Sequence, residues 1–242
     1  MPQIHLVPKG KQNALLYVDG ELTAPVSNRD MVFWDISDGC EITDEKLLKL
    51  LNDCVLPAGR KKAMDLLLAQ ERTEAELRNR LLQSCYGGDV VDSVMEYVKQ
   101  FSYLDDERYA LHYMRSVGRR KSILEIRQRL TEKGVSETDY ENALSRYKAE
   151  RCEEASETVP VRNAFGLQKK TVMPVTDEID DEALEIETVR KLMHKKAPDG
   201  TCLSKGEKEK LYASFLRKGF GYHSVRLVLK EYPTAESEDS VE

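Results

Sequence analysis

Apolar residues follow two different patterns along the chain. Up to about residue 40 they alternate or cluster in short runs: Ile4-His5-Leu6-Val7, Ala14-Leu15-Leu16-Tyr17-Val18 and Glu21-Leu22-Thr23. A period near two sends successive side chains to opposite faces, so these runs predict strands. Asp19-Gly20 lies between the second and third runs. Both residues tolerate positive φ, which makes the pair a strong signal for a two-residue hairpin turn. Met31-Val32-Phe33-Trp34 reads as a further strand. Asp38-Gly39 then turns the chain into Thr43-Asp44-Glu45, an N-cap followed by acids at the positive end of a helix. That helix is expected to run through Leu47, Leu48, Leu50 and Leu51 and to stop near Pro57.

From Arg60 onward the pattern turns helical and repeats itself. Taking Leu77, Ile126 and Leu211 as offset zero, apolar residues recur at offsets 0, 4, 9, 14, 17 and 18 in each copy. The first copy has Leu77, Leu81, Tyr86, Val91, Val94 and Met95. The second has Ile126, Leu130, Val135, Tyr140, Ala143 and Leu144, and the third Leu211, Phe215, Phe220, Val225, Val228 and Leu229. Offsets 0 and 4 share one helix face, and offsets 14, 17 and 18 begin a second amphipathic helix. Offset 8 is Cys85, Gly134 or Gly219, where glycine suits a left-handed C-terminal cap. Another helix precedes each copy, at Ala63–Leu68, Glu107–Met114 and Ile186–Met193, so each repeat contains three short helices.

The first two copies are 49 residues apart and the last two 85. An acidic stretch containing Pro160 and Pro174, together with the connection Ala197-Pro198-Asp199-Gly200, accounts for the difference. The pattern predicts a mainly α chain of three tandem three-helix repeats in an elongated, curved arrangement, with a small N-terminal β-hairpin module. The expected divisions are the β module with its helix (1–57), repeats over 58–101, 102–149 and 184–232, an acidic linker (150–183) and a disordered acidic tail (233–242).

The net charge is −6, with 37 Lys and Arg against 43 Asp and Glu. That balance alone argues against an anionic partner, but the charge is uneven. Residues 188–232 carry 11 cations against 4 anions, whereas 150–187 carry 4 against 11. Within 115–133, seven cations face only Glu125 and Glu132. Overall charge is therefore a poor guide to local potential. The five scattered cysteines form no C-x-x-C pair, which fits reduced thiols. No apolar run approaches the roughly 18 residues of a membrane span, and the first residues lack a signal-peptide pattern, so a cytoplasmic monomer with no membrane partner is expected.

Specific stretches resemble a known family. Ala63-Met64-Asp65-Leu66-Leu67, Arg72-Thr73-Glu74-Ala75-Glu76-Leu77-Arg78 and Tyr103-Leu104-Asp105-Asp106-Glu107-Arg108-Tyr109-Ala110 are similar to the signature of the RecX family. So are Ile126-Arg127-Gln128-Arg129-Leu130, Lys133-Gly134-Val135 and Leu216-Arg217-Lys218-Gly219-Phe220. The resemblance spans about 58–147 and 184–232, and Tyr17-Val18-Asp19-Gly20-Glu21 resembles the leading segment of longer members. Two features depart from the family pattern, the long insertion and Gly87-Gly88, which is expected to loosen the third helix of the first repeat. The resemblance implies a regulator of the RecA recombinase. Such a regulator binds the RecA filament on single-stranded DNA and lowers its ATP hydrolysis and strand exchange.

A filament regulator needs surface more than chemistry. The candidate RecA- or DNA-binding residues are Arg78, Arg80, Arg115, Arg119, Arg120, Lys121, Arg127, Arg129, Lys133, Arg217, Lys218 and Arg226. Arg and Lys at helix connections reach phosphates or acidic surfaces, though many such residues merely solvate a helix face. Asp105-Asp106-Glu107 reads as a helix N-cap rather than a metal site. The sequence has no phosphate-binding G-x-x-x-x-G-K-[ST] loop, no H-E-x-x-H and no nucleophile motif, so neither catalysis nor a cofactor is expected. The competing expectation is a helical module that binds DNA directly, without RecA; weak direct DNA contact fits either reading.

Overall fold

A computed structural model describes residues 1–157, 180–198 and 201–234, with side chains through Glu153 in the first of these segments. Three strands, β1 (Ile4–Lys9), β2 (Asn13–Val18) and β3 (Glu21–Ser27), form an antiparallel meander in the order β1-β2-β3. Asp19 and Gly20, at φ 50° and 85°, make the tight turn between β2 and β3, so the hairpin signal located a real turn. Met31–Trp34 is not a strand. Ser27 caps a short helix, α1 (Asn28–Phe33), through a reciprocal pairing with Asp30, and Val32 and Phe33 stay exposed. A run of four apolar residues lacks the length to separate strand from helix, and the cap decides it.

The expected stop near Pro57 is also corrected. α2 (Asp44–Leu50) passes through a π turn (Leu51–Val55) directly into α3 (Leu56–Ala69). Pro57 lies in the first turn of α3, where proline's missing N–H costs least. The boundary expected at residue 57 therefore falls inside continuous helical backbone. The chain continues through α4 (Glu74–Gln83), α5 (Gly88–Gln100), α6 (Asp106–Val117), α7 (Ile123–Glu132) and α8 (Glu137–Glu157). It ends with α9 (Asp181–Lys196), α10 (Lys205–Arg217) and α11 (Tyr222–Lys230). α8 runs past residue 149, where the acidic linker was expected to begin. Most of that linker, most of the acidic tail, and Asp199-Gly200 lie outside the described residues.

The chain forms two compact units, Met1–Tyr109 with Lys133–Val135, and Ala110–Glu132 with Ser136–Glu242. In the first, sheet residues Ile4, Leu16, Ala24 and Val26 share one core with Leu77, Leu81, Tyr86, Val91, Val94 and Met95. Gly87 lets the sheet approach this closely. Its N–H donates to the Thr23 carbonyl at 2.8 Å, and a Cβ there would overlap the Leu22 carbonyl. Far from loosening the third helix, Gly87 is the N-cap residue of a 13-residue α5.

In the second unit, Val189, Met193, Phe215, Phe220, Val225, Val228 and Leu229 build a core under α9–α11. Of the eighteen repeat positions, all but Leu144 and Leu211 are buried, and those two are half-buried. The periodicity thus marks helix faces that each unit removes from water. Among the described residues, no helix is long and apolar enough to cross a membrane.

Candidate interaction surface

Each repeat's middle helix ends in the same way. Cys85, Gly134 and Gly219, all at offset 8, have φ of 69°, 82° and 79°. In the first and third copies the next residue's N–H reaches back to the offset-4 carbonyl, Tyr86 to Leu81 and Phe220 to Phe215. This six-residue closure is a Schellman cap, and it tucks the following aromatic ring under the helix.

The beginnings of α4 and α7 do something further. Thr73, wholly buried, accepts the Glu76 N–H and donates its hydroxyl to the Lys133 carbonyl at 2.5 Å. Ser122, also buried, accepts the Glu125 N–H and donates to the Lys218 carbonyl at 2.8 Å. Thr73 and Ser122 both stand at offset −4, and Lys133 and Lys218 both at offset 7. One joint is therefore made twice: the N-cap hydroxyl of one repeat's middle helix satisfies an orphan carbonyl at the end of the next repeat's middle helix. Each joint is close-packed. A Cβ on Gly134 would overlap Ala75, and one on Gly219 would sit 3.0 Å from the Ser122 hydroxyl.

The two joints differ in charge. Around the first stand Gln70-Glu71-Arg72 and Glu132-Lys133. The Lys133 ammonium is tied down, 2.6 Å from Glu76 and 5.4 Å from the Tyr109 ring centre. Burial works against its charge, but Glu76 and Tyr109 outweigh that and hold its pKa above the usual lysine value. At the corresponding positions of the second joint stand Arg119-Arg120-Lys121 and Arg217-Lys218. The Ser122–Lys218 bond brings these two basic loops together.

The other candidate residues are largely engaged with carboxylates of the chain. Arg115 makes a bidentate pair with Glu150, at 2.8 and 2.5 Å. Arg78 pairs with Asp92 at 2.6 Å, Arg127 with Glu137 at 2.6 Å and Arg129 with Glu132 at 3.1 Å. Lys121 pairs with Glu125 at 2.6 Å, and Arg80 donates to Gln83 at 3.3 Å. Arg120 and Arg217 instead cap helix ends, donating to the Ser116 carbonyl at 3.0 Å and the Ala213 carbonyl at 3.3 Å. Arg119, Lys218 and Arg226 have exposed side chains. Six of the twelve candidates are thus neutralised locally. Exposed ion pairs of this kind contribute little stability, and a partner can compete for the cations.

Sequence reasoning missed Thr73 and Ser122. The carbonyls their hydroxyls satisfy lie 60 and 96 positions away. It also missed Arg151, which is buried and paired with Glu187 inside the second unit. Asp105 acts as the expected cap, accepting the Arg108 N–H at 2.7 Å, while Asp106 accepts the Glu74 N–H at 3.0 Å. Among the described residues no cluster of His, Cys, Asp and Glu could hold a metal ion.

Comparison with known proteins agrees with this architecture. Residues 60–97 match the first three-helix domain of RecX and residues 105–144 the second. "Regulatory protein RecX" of Streptococcus gordonii is 22% identical over 99% of this chain and 81% of its own length. The protein of the same description from Streptococcus sanguinis is 24% identical over 95% of this chain and 99% of its own length. A crystal structure of regulatory protein RecX, 18% identical, covers 95% of this chain and 100% of its own with a TM-score of 0.50, a likeness of fold. With both three-helix domains matched in order and relatives aligned nearly end to end, the chain is similar along almost its whole length to proteins described as regulatory protein RecX.

Proposed function

We propose that this chain binds the RecA filament on single-stranded DNA and restrains it, lowering ATP hydrolysis, strand exchange and the recombination and SOS responses that depend on them. The observation carrying this reading is the near end-to-end relation to proteins described as regulatory protein RecX. The surface chemistry supports it. A polymeric partner offers the same anionic and polar features at regular intervals, and a chain of repeats meets such a partner with equivalent loops. The contact residues are drawn from Arg78, Arg80, Arg115, Arg119, Arg120, Lys121, Arg127, Arg129, Lys133, Arg217, Lys218 and Arg226. Arg119, Arg120 and Lys121 carry the largest share, because they stand together at one helix connection.

The test is pelleting of the chain with RecA filaments, alongside three-strand exchange in their presence. Wild type is expected to co-sediment with filaments and to slow exchange. A variant with Arg119, Arg120 and Lys121 all changed to Glu should lose at least tenfold in apparent affinity while its helical circular dichroism is unchanged. Full inhibition by that variant removes the cluster from the contact surface. If wild type binds DNA tightly but leaves RecA untouched, the reading fails in favour of a module that acts on DNA directly.

A further inference from the structure

We infer that the groove between α7, α8, α9 and the start of α11 is a docking site for a cationic peptide segment of a partner protein, one with an apolar side chain between lysines or arginines. The inference goes beyond the filament reading, whose contact residues are cations.

The groove lies wholly within the second unit and has a volume of about 630 Å³. Ligand sites in proteins run from about 300 to 1,000 Å³, so this one takes a short stretch of extended chain. Its apolar lining is Ile123 and Leu124 of α7, Tyr140 and Leu144 of α8, and Tyr222 at the start of α11. Leu124 is 52% exposed and Tyr222 57% exposed. Two large apolar side chains on one groove are surface that the fold itself leaves to water.

The rest of the lining is acidic. Glu137 and Glu141 come from α8, and Asp181, Glu182 and Glu185 from α9. Arg127 pairs with Glu137 at 2.6 Å, Lys148 with Asp181 at 2.6 Å, and His223 lies 3.6 Å from Glu182. Glu185 caps α11 by accepting the Gly221 N–H at 2.9 Å. Glu141 is exposed and makes no ion pair among the described residues. Acids in a first helical turn answer the helix dipole, which accounts for Glu137, Asp181 and Glu182. Glu141 stands beyond that turn, so the dipole does not account for it.

A second observation stands apart from the carboxylates. Tyr140 is only 5% exposed, yet its hydroxyl makes no hydrogen bond among the described residues. A buried hydroxyl is ordinarily paired. Burial, then Asp181, Glu137 and Glu141 against the opposing pull of Arg127, push its pKa up to about 12. The phenol therefore stays protonated amid negative charge and keeps a donor and an acceptor for a ligand.

Apolar and aromatic side chains beside a charged edge are the anatomy of a protein interface, where tyrosine is a frequent energetic anchor. Among the described residues these carboxylates form no cluster that could hold a metal ion. A simple polyamine would satisfy the charge and leave Leu124 uncovered. A peptide with a leucine between two basic residues meets both needs, its apolar side chain on Leu124 and Tyr222 and its cations on Glu141 and Glu182.

The test is fluorescence anisotropy of full-length protein with a short labelled peptide of alternating lysine and leucine at low salt. Matched peptides of lysine with serine, and of glutamate with leucine, separate charge from apolar contact. The lysine–leucine peptide is expected to bind at least about tenfold more tightly than either, the worth of one buried leucine. Glu141→Gln should weaken it about threefold and Glu141→Lys more, as expected of an exposed ion pair. Glu96→Gln, at an exposed carboxylate of α5 in the first unit, should change nothing. Equal binding of the two lysine peptides, or equal effects of Glu96→Gln and Glu141→Gln, overturns the inference. So does displacement of the peptide by spermidine at equal concentration, since a small polyamine then suffices. Two other occupants are separated in the same protein. Changing Arg162, Lys169 and Lys170 together to Gln should leave the affinity unaltered. A tenfold gain assigns the groove to the chain's own residues 161–170 and overturns a partner. Sedimentation as a dimer that Glu141→Lys dissociates assigns it to a second copy and overturns a partner likewise.

Discussion

Cys85 holds a left-handed backbone at φ 69°, in the position that the other two repeats give to glycine. That conformation pushes a Cβ toward the following carbonyl and costs a non-glycine residue about 1–2 kcal/mol. Its thiol accepts from Lys9 at 2.9 Å, an exposed contact that offsets little of this cost. Cys85→Gly is therefore expected to raise unfolding stability by about 1 kcal/mol, read as a higher urea midpoint at unchanged slope. A lower midpoint would mean that the Lys9 contact outweighs the backbone cost. Cysteine at offset 8 looked like a departure from the repeat, yet the φ value shows that the cap geometry is kept and only the residue changed. Glycine was legible as a cap signal because its freedom at positive φ is intrinsic. The strained cysteine was not, since nothing local to its sequence announces that conformation.

At the scale of the element, the three-helix repeat was largely readable. Sixteen of the eighteen periodic apolar positions are buried, because a stripe at helical spacing has one way to leave water. Met31–Trp34 and the helix through Pro57 were misread for a shared reason. In both, a short local signal competes with a cap or a π turn whose effect depends on the neighbouring backbone. The joints were not readable at all, since each couples a hydroxyl to a carbonyl tens of residues away.

Their energetics can be tested by comparing caps. Ser122→Ala removes both the N-cap acceptor and the partner of the Lys218 carbonyl, and should cost about 2 kcal/mol. Ser204 caps α10 through Glu207 but is exposed and makes no such joint, so Ser204→Ala should cost about 1 kcal/mol or less. Equal losses in chemical denaturation would remove the joint as a stabilising device.

The Glu187 carboxylate gives the second unit a pH response. Burial opposes its charge, but Lys191 and the buried Arg151 outweigh that and hold its pKa below the ordinary 4.5. A carboxylate depressed on folding contributes stability that is complete above its unfolded pKa and is lost as pH falls through the folded value. Wild type should therefore lose denaturant resistance below about pH 4.5 more steeply than Glu187→Gln. Parallel curves would contradict the assignment.

Considered whole, the molecule shows how misleading a single net charge can be. The chain is acidic at −6, yet its five-cation joint arises only when loops from two repeats are brought together. The sequence identified the basic residues one by one. It could not tell Arg115 and Arg127, which fold back onto Glu150 and Glu137, from Lys218 and Arg226, whose side chains remain exposed. That distinction depends on where α8 lies against α6 and α7, information that no local stretch contains.

The central claim is the proposal that this chain, similar to proteins described as regulatory protein RecX, restrains RecA. Its most direct measurement is the single-stranded-DNA-dependent ATPase of the cognate RecA, titrated with purified full-length protein at fixed salt. A progressive fall in hydrolysis, complete near or below one chain per RecA protomer, is the expected result. A rate that stays level through stoichiometric excess would contradict the account.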